Sequence, residues 1–137
     1  MDINVMWDNE DQTAIRCMFT GGLIQEDLGA VRRLARIMLD SNEDVQNVIL
    51  ILDVTIADAG VARGVTTQFR RFFADWHPKA GPVILVGAHL LKRAGVTGKL
   101  TGLLNRPEPE NEAFISVRTL QDARRFVTRY QMGRADV

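Results

Sequence analysis

The chain has 137 residues, of which 46% are hydrophobic and 25% are charged, close to the averages for globular proteins. This composition excludes a low-complexity or disordered chain, and the length fits one domain with its own core. Lys and Arg together number 17, as do Asp and Glu, so the zero net charge gives no general attraction to nucleic acid or to an anionic membrane.

The N-terminal third predicts a β-hairpin followed by a helix. Residues 3–7 and 15–19 each place apolar side chains at every second position, Ile3, Val5 and Trp7 and then Ile15, Cys17 and Phe19, on either side of a polar turn. This pattern is typical of two half-buried antiparallel strands. Residues 25–40 then carry apolar side chains at helical spacing, with acidic residues in the first turn, where they suit the helix dipole.

Two continuous apolar runs predict strands that are covered on both faces. The first, Val48–Leu52, ends at Asp53, and the second covers residues 83–87. Each run is followed by a segment with helical spacing, over residues 61–76 and 89–105 respectively.

The C-terminal part predicts one more strand and a final helix. The strand is expected over residues 113–117. Thr119 and Asp122 have the spacing of a capping box, which predicts that the last helix begins directly after Thr119. We expect the domain to cover residues 1–132 and residues 133–137 to form a flexible tail.

The resulting order is β-β-α-β-α-β-α-β-α. It predicts a single α/β domain with a mixed, mostly parallel sheet of about five strands and four or more helices.

Five short segments mark strands or the starts of helices in this order. They are Phe19–Leu23, Val48–Asp53, Asp58–Gly60, Val83–Gly87 and Thr119–Ala123. In their order and spacing, from about Ile3 to Tyr130, the chain resembles the SpoIIAA-like superfamily of anti-sigma-factor-antagonist, STAS and CRAL-TRIO-like domains. The resemblance implies a single-domain SpoIIAA/STAS-like fold.

The resemblance also bears on regulation. In phosphorylatable members, the loop before the second helix carries Asp-Ser-Ser-Gly or a similar sequence, and a partner kinase phosphorylates a Ser or Thr there. The matching residues here are Asp58, Ala59 and Gly60, so Ala59 stands in place of the hydroxyl. Thr55 is the nearest hydroxyl but lies upstream. Alanine cannot take up the phosphate charge, so we expect a diverged member without the usual phosphorylation switch.

By this resemblance the chain is a non-enzymatic binding or regulatory module that acts through the loop before the second predicted helix. The expected partner- or ligand-binding residues are Asp53, Thr55, Asp58, Ala59, Gly60 and Arg63. They begin at the carboxyl end of the central strand, where ligands of open α/β sheets bind. The opposing interpretation is structural: Asp58 caps a helix and Asp53 bonds to nearby backbone.

The expected partner is another protein or a second copy of the chain, as a homodimer. The alternative is a domain that binds an apolar small molecule or a lipid, as the CRAL-TRIO-like relatives imply. Phe69, Phe72, Phe73 and Trp76 fit either core packing or the wall of such a pocket.

No catalytic residues, metal ligands or cofactor are predicted. His77 and His89 are isolated, and pairing either one with Asp53 lacks a third, orienting group. Cys17 falls on the apolar face of a predicted strand, which favours a buried, inert thiol. With one cysteine, an acidic N-terminus and no apolar run of about 18 residues, we expect a cytoplasmic protein without a transmembrane segment.

Overall fold

The sheet and two helices are visible in a computed structural model, which describes residues 2–20, 25–54, 71, 73–87 and 114–135. The described elements are β1 (Asp2–Trp7), β2 (Ala14–Thr20), α1 (Gln25–Asp40), β3 (Val48–Asp53), β4 (Ala80–Val86), β5 (Phe114–Val117) and α2 (Leu120–Ala135).

The five strands form one sheet in the order β1-β2-β3-β4-β5. β1 runs antiparallel to β2, with Val5 opposite Cys17, and every other neighbouring pair is parallel. The predicted hairpin and the mixed, mostly parallel sheet of five strands are therefore confirmed.

Both faces of the sheet are covered, which explains the unbroken apolar run of β3. All six residues of β3 are buried. On one face, the sheet packs against the buried stripe of α1, which consists of Leu28, Val31, Ala35 and Leu39. On the other face, Ile49, Ile51, Ile84 and Val86 pack against α2 through Ala123 and Val127. Helices on both faces are what a parallel sheet requires.

The prediction of four or more helices is not borne out, because the described residues contain two, α1 and α2. Helical spacing is a local signal that does not by itself fix the number of helices. The other two predicted helices lie outside the described residues, apart from Arg71 and residues 73–76. No helix in the described ranges is long and apolar enough to cross a membrane.

Two details of the predicted C-terminal and aromatic segments can be checked. Asp122 donates its backbone N–H to Oγ1 of Thr119 at 3.1 Å, which confirms Thr119 as the cap of α2. α2 then continues to Ala135, past the start of the expected tail at residue 133. Phe73 and Trp76 are buried in the core beside α1, with their rings edge to face and 6.1 Å apart.

Candidate functional site

The carboxyl end of β3 carries a buried charge. Asp53, the last residue of that strand, is 2% exposed, the lowest whole-residue exposure of any charged residue in the described part of the chain. Side chains alternate along a strand, so Asp53 lies on the same face as Ile49 and Ile51, the face that α2 covers. A buried carboxylate needs a compensating charge or hydrogen bonds.

Arg16, on the neighbouring strand β2, supplies that charge. Its Nη2 donates a hydrogen bond to Oδ2 of Asp53 at 3.0 Å. The Cα of Arg16 lies opposite Ile51, so the long side chain runs along the sheet toward the carboxyl edge. The Arg16 side chain is 21% exposed, and its buried Nε has no hydrogen-bond partner among the described atoms. The Arg16 side chain is therefore partly exposed, while the Asp53 carboxylate to which it bonds is buried.

A second Asp–Arg pair lies on the same face of the sheet. Its acid, Asp8, lies beside Ala14 at the amino end of β2. Arg124 of α2 donates from Nε and Nη2 to the two carboxylate oxygens of Asp8, at 3.1 and 3.0 Å. The Asp8 hydrogen bond is the main cause that raises the pKa of Arg124, and the negative charges of Asp8 and Asp53 add to it. The face of the sheet that α2 covers therefore carries two Asp–Arg ion pairs.

Backbone hydrogen bonds join the carboxyl ends of the neighbouring parallel strands β3, β4 and β5. Val54 donates its N–H to the carbonyl of Val86 at 3.0 Å, and Gly87 donates to the carbonyl of Val117 at 3.1 Å. Gly87 has a φ of 85°, a conformation that glycine adopts without strain. The chain therefore leaves β3 and β4 from a fixed edge of the sheet.

Of the predicted binding residues, only Asp53 belongs to the described part of the chain. Thr55, Asp58, Ala59, Gly60 and Arg63 lie outside the described residues. The structure adds one residue that the sequence did not suggest, Arg16, which it brings to Asp53. The available signal was weak: Arg16 is the one charged residue of β2 and lies on the face opposite Cys17.

His77 does not pair with Asp53. Its Nδ1 accepts the backbone N–H of Lys79 at 3.0 Å, so the ring proton resides on Nε2, which donates to Oδ1 of Asp40 at 2.7 Å. The second histidine, His89, lies outside the described residues. His77 thus contacts Asp40 and the backbone of Lys79.

The single thiol of the chain is enclosed. Cys17 is fully buried, as predicted, and burial raises the pKa of its thiol well above its usual range. Among the described residues, no three His, Cys, Asp or Glu side chains group together in a way that could hold a metal ion.

The comparisons with known proteins bear on the fold. No protein-family model matches the sequence, and no curated protein matches it. Among solved structures, the chain is similar to an uncharacterized protein from the DUF3478 family with a SpoIIAA-like fold, from Shewanella loihica PV-4. The two are 15% identical, the match covers 92% of each chain, and the TM-score is 0.53. This chain therefore has the SpoIIAA-like fold.

Proposed function

We propose that this chain is a non-enzymatic binding module, and that its binding surface is the carboxyl edge of the sheet. The proposed surface is the segment 54–63, which directly follows the buried Asp53. The observation that carries the proposal is the Arg16–Asp53 ion pair, which places a buried charge at the end of the central strand.

The pair supports a role in positioning a binding segment. Burying an ion pair does not by itself stabilise a fold better than well-packed apolar residues do. At the end of β3, however, the pair fixes the residue from which the segment 54–63 departs. Loops that bind partners work best when a rigid scaffold holds their ends, and ligands of open α/β sheets bind at this edge.

Two features favour binding over catalysis. The thiol of Cys17 is enclosed in the core, and the His77 ring is committed to Asp40 and to the backbone of Lys79. Within the segment itself, Ala59 stands where related phosphorylatable domains carry a hydroxyl. These features support a constitutive binding surface rather than a reactive or kinase-controlled site.

An affinity-capture experiment tests the assignment of this surface. Tagged wild-type protein is compared with Asp58→Arg, which reverses a charge in the segment 54–63. The matched control is Asp44→Arg, an equal charge reversal at an exposed turn before the amino end of β3, on the opposite edge of the sheet. We expect Asp58→Arg to lose a protein that both the wild type and Asp44→Arg retain. The same set of captured proteins from all three would overturn the proposal.

Native mass spectrometry of the freshly purified chain tests the alternative. A binding module for proteins is expected to show the mass of the bare chain. A co-purifying apolar molecule, displaced when the protein is unfolded, would instead support a small-molecule or lipid-binding domain.

A further inference from the structure

The helix α2 carries a surplus of positive charge. From Arg118, just before the helix, to Gly133, the sequence contains four arginines and a single acid, Asp122. The sequence of α1, by contrast, contains three arginines and three acids. Because the chain as a whole has no net charge, the surplus is a local property of α2.

Ion pairs neutralise part of this charge. Arg124 is held by the carboxylate of Asp8 at 3.0 Å, and the Asp8 side chain is buried. Arg125 reaches Asp122 at 3.7 Å, but the two side chains are 68% and 43% exposed, and such surface pairs contribute little. In the described part of the chain, Arg129 forms no ion pair. The charges of Arg125 and Arg129 thus remain available to a partner.

Helical spacing places these two charges beside an exposed apolar side chain. Arg125 and Arg129 are four residues apart, so they are neighbours on the helix surface, and Met132 continues the same stripe. The stripe faces away from Ala123 and Val127, which pack on the sheet. Its three side chains are exposed, that of Met132 at a residue exposure of 63%. Arginine and methionine are both enriched in protein–protein interfaces.

We propose that this outer stripe of α2, which consists of Arg125, Arg129 and Met132, binds an acidic segment of a partner protein. Carboxylates four residues apart on a helix of the partner match the spacing of the two guanidinium groups. An apolar side chain of the same segment covers Met132. The methionine favours a polypeptide over a nucleic acid, because contacts to phosphates are made by charged and polar groups. The stripe shares no residue with the segment 54–63, so the inference is independent of the proposed function.

Fluorescence anisotropy with short labelled probes tests the proposal at about 50 mM salt, where charge contacts are weakly screened. The acidic probe is a helical peptide with glutamates four residues apart and leucines beside them. A second peptide carries lysines in place of the glutamates, and a single-stranded oligonucleotide has the same charge as the acidic peptide.

Two charge-reversed variants show where the acidic peptide binds. Arg125→Glu/Arg129→Glu reverses the stripe. The matched control, Arg33→Glu/Arg36→Glu, makes the same change at two exposed arginines of α1, on the other face of the sheet. Should the reversed stripe fail to fold by circular dichroism, the milder Arg125→Gln/Arg129→Gln decides in its place.

We expect the acidic peptide to bind the wild type with a dissociation constant below about 500 µM, and at least about ten-fold more tightly than the lysine peptide. Arg125→Glu/Arg129→Glu should weaken binding at least about ten-fold, and the α1 control less than about three-fold. Met132→Ser should weaken binding of the leucine-containing peptide and leave unchanged the binding of a peptide with serines in place of the leucines.

Three results would each overturn the proposal. They are equal losses in the two charge-reversed variants, an oligonucleotide that binds as tightly as the acidic peptide, and an acidic peptide that binds more weakly than about 500 µM. The first would indicate unlocalised attraction between charges, and the second a surface for nucleic acid.

Discussion

Arg16 and Asp53, 37 residues apart in the sequence, meet across β2 and β3 through a 3.0 Å hydrogen bond. The Asp53 side chain is 3% exposed, whereas that of Arg16 is 21% exposed. The pair therefore joins a buried carboxylate to an arginine side chain that is partly exposed.

Replacing Asp53 by Ala should lower the free energy of unfolding by about 2–4 kcal/mol, because Arg16 is left partly buried without its counter-charge. The double variant Arg16→Met/Asp53→Leu should lose less than the two single variants Arg16→Met and Asp53→Leu added together, since it removes both charges. Urea unfolding at neutral pH measures all of these. Exposed Asp44→Ala serves as the control and should change stability by less than about 0.5 kcal/mol. Additive losses in the double variant would show that the two side chains do not interact.

Two glycines should respond to alanine in opposite directions. A Cβ on Gly81 of β4 would lie 2.8 Å from the backbone oxygen of Asn47, which has a positive φ of 53° and little freedom to shift. Gly81→Ala should therefore destabilise the protein by about 1–3 kcal/mol. A Cβ on Gly133 of α2 meets nothing within 4 Å, so Gly133→Ala should stabilise it by up to about 1 kcal/mol. Thermal or urea unfolding that ranks the two variants in the reverse order would contradict the packing of β4 against Asn47.

Asp40 should contribute to acid sensitivity. The hydrogen bond from His77 is the main cause that holds the pKa of Asp40 below its ordinary value of 3.8. A carboxyl whose pKa is lower in the folded state stabilises the fold above its unfolded pKa. That contribution is lost as the pH falls through the folded value.

Titration by NMR should therefore show the pKa of Asp40 rising toward its ordinary value in His77→Phe, which removes the Nε2 donor and keeps an aromatic ring beside Trp76. In parallel, Asp40→Asn should lose less stability than the wild type between about pH 4 and pH 2. An unchanged Asp40 titration in His77→Phe would contradict the pairing.

Cys17 should react only when the protein opens. Its side chain is fully buried in the core beside α1, and burial raises the pKa of the thiol, so the reactive thiolate is scarce. A soluble disulfide reagent at mildly alkaline pH should label native protein at a rate that does not increase with reagent concentration once opening is limiting. Immediate labelling of the folded chain would show that Cys17 is accessible.

The sequence predicts the strands of this fold better than its contacts. Five consecutive β-branched or aliphatic residues identify β3, and the hydroxyl of Thr119 identifies the start of α2, because both signals are local. The Arg16–Asp53 and Asp40–His77 contacts each join residues 37 positions apart. Alternation along a strand predicts which face a side chain occupies, but the register between strands decides which partner it meets there. The candidate site was thus predicted at Asp53 and missed at Arg16.

The most direct test of the carboxyl edge as a binding surface measures how much of each protein is captured by Asp58→Arg relative to the wild type. Isotope-coded mass spectrometry gives this ratio, and the same ratio for Asp44→Arg is the control. We predict at least one protein whose capture falls about ten-fold or more with Asp58→Arg and stays near the wild-type level with Asp44→Arg. Equal ratios for the two variants across all captured proteins would contradict the account.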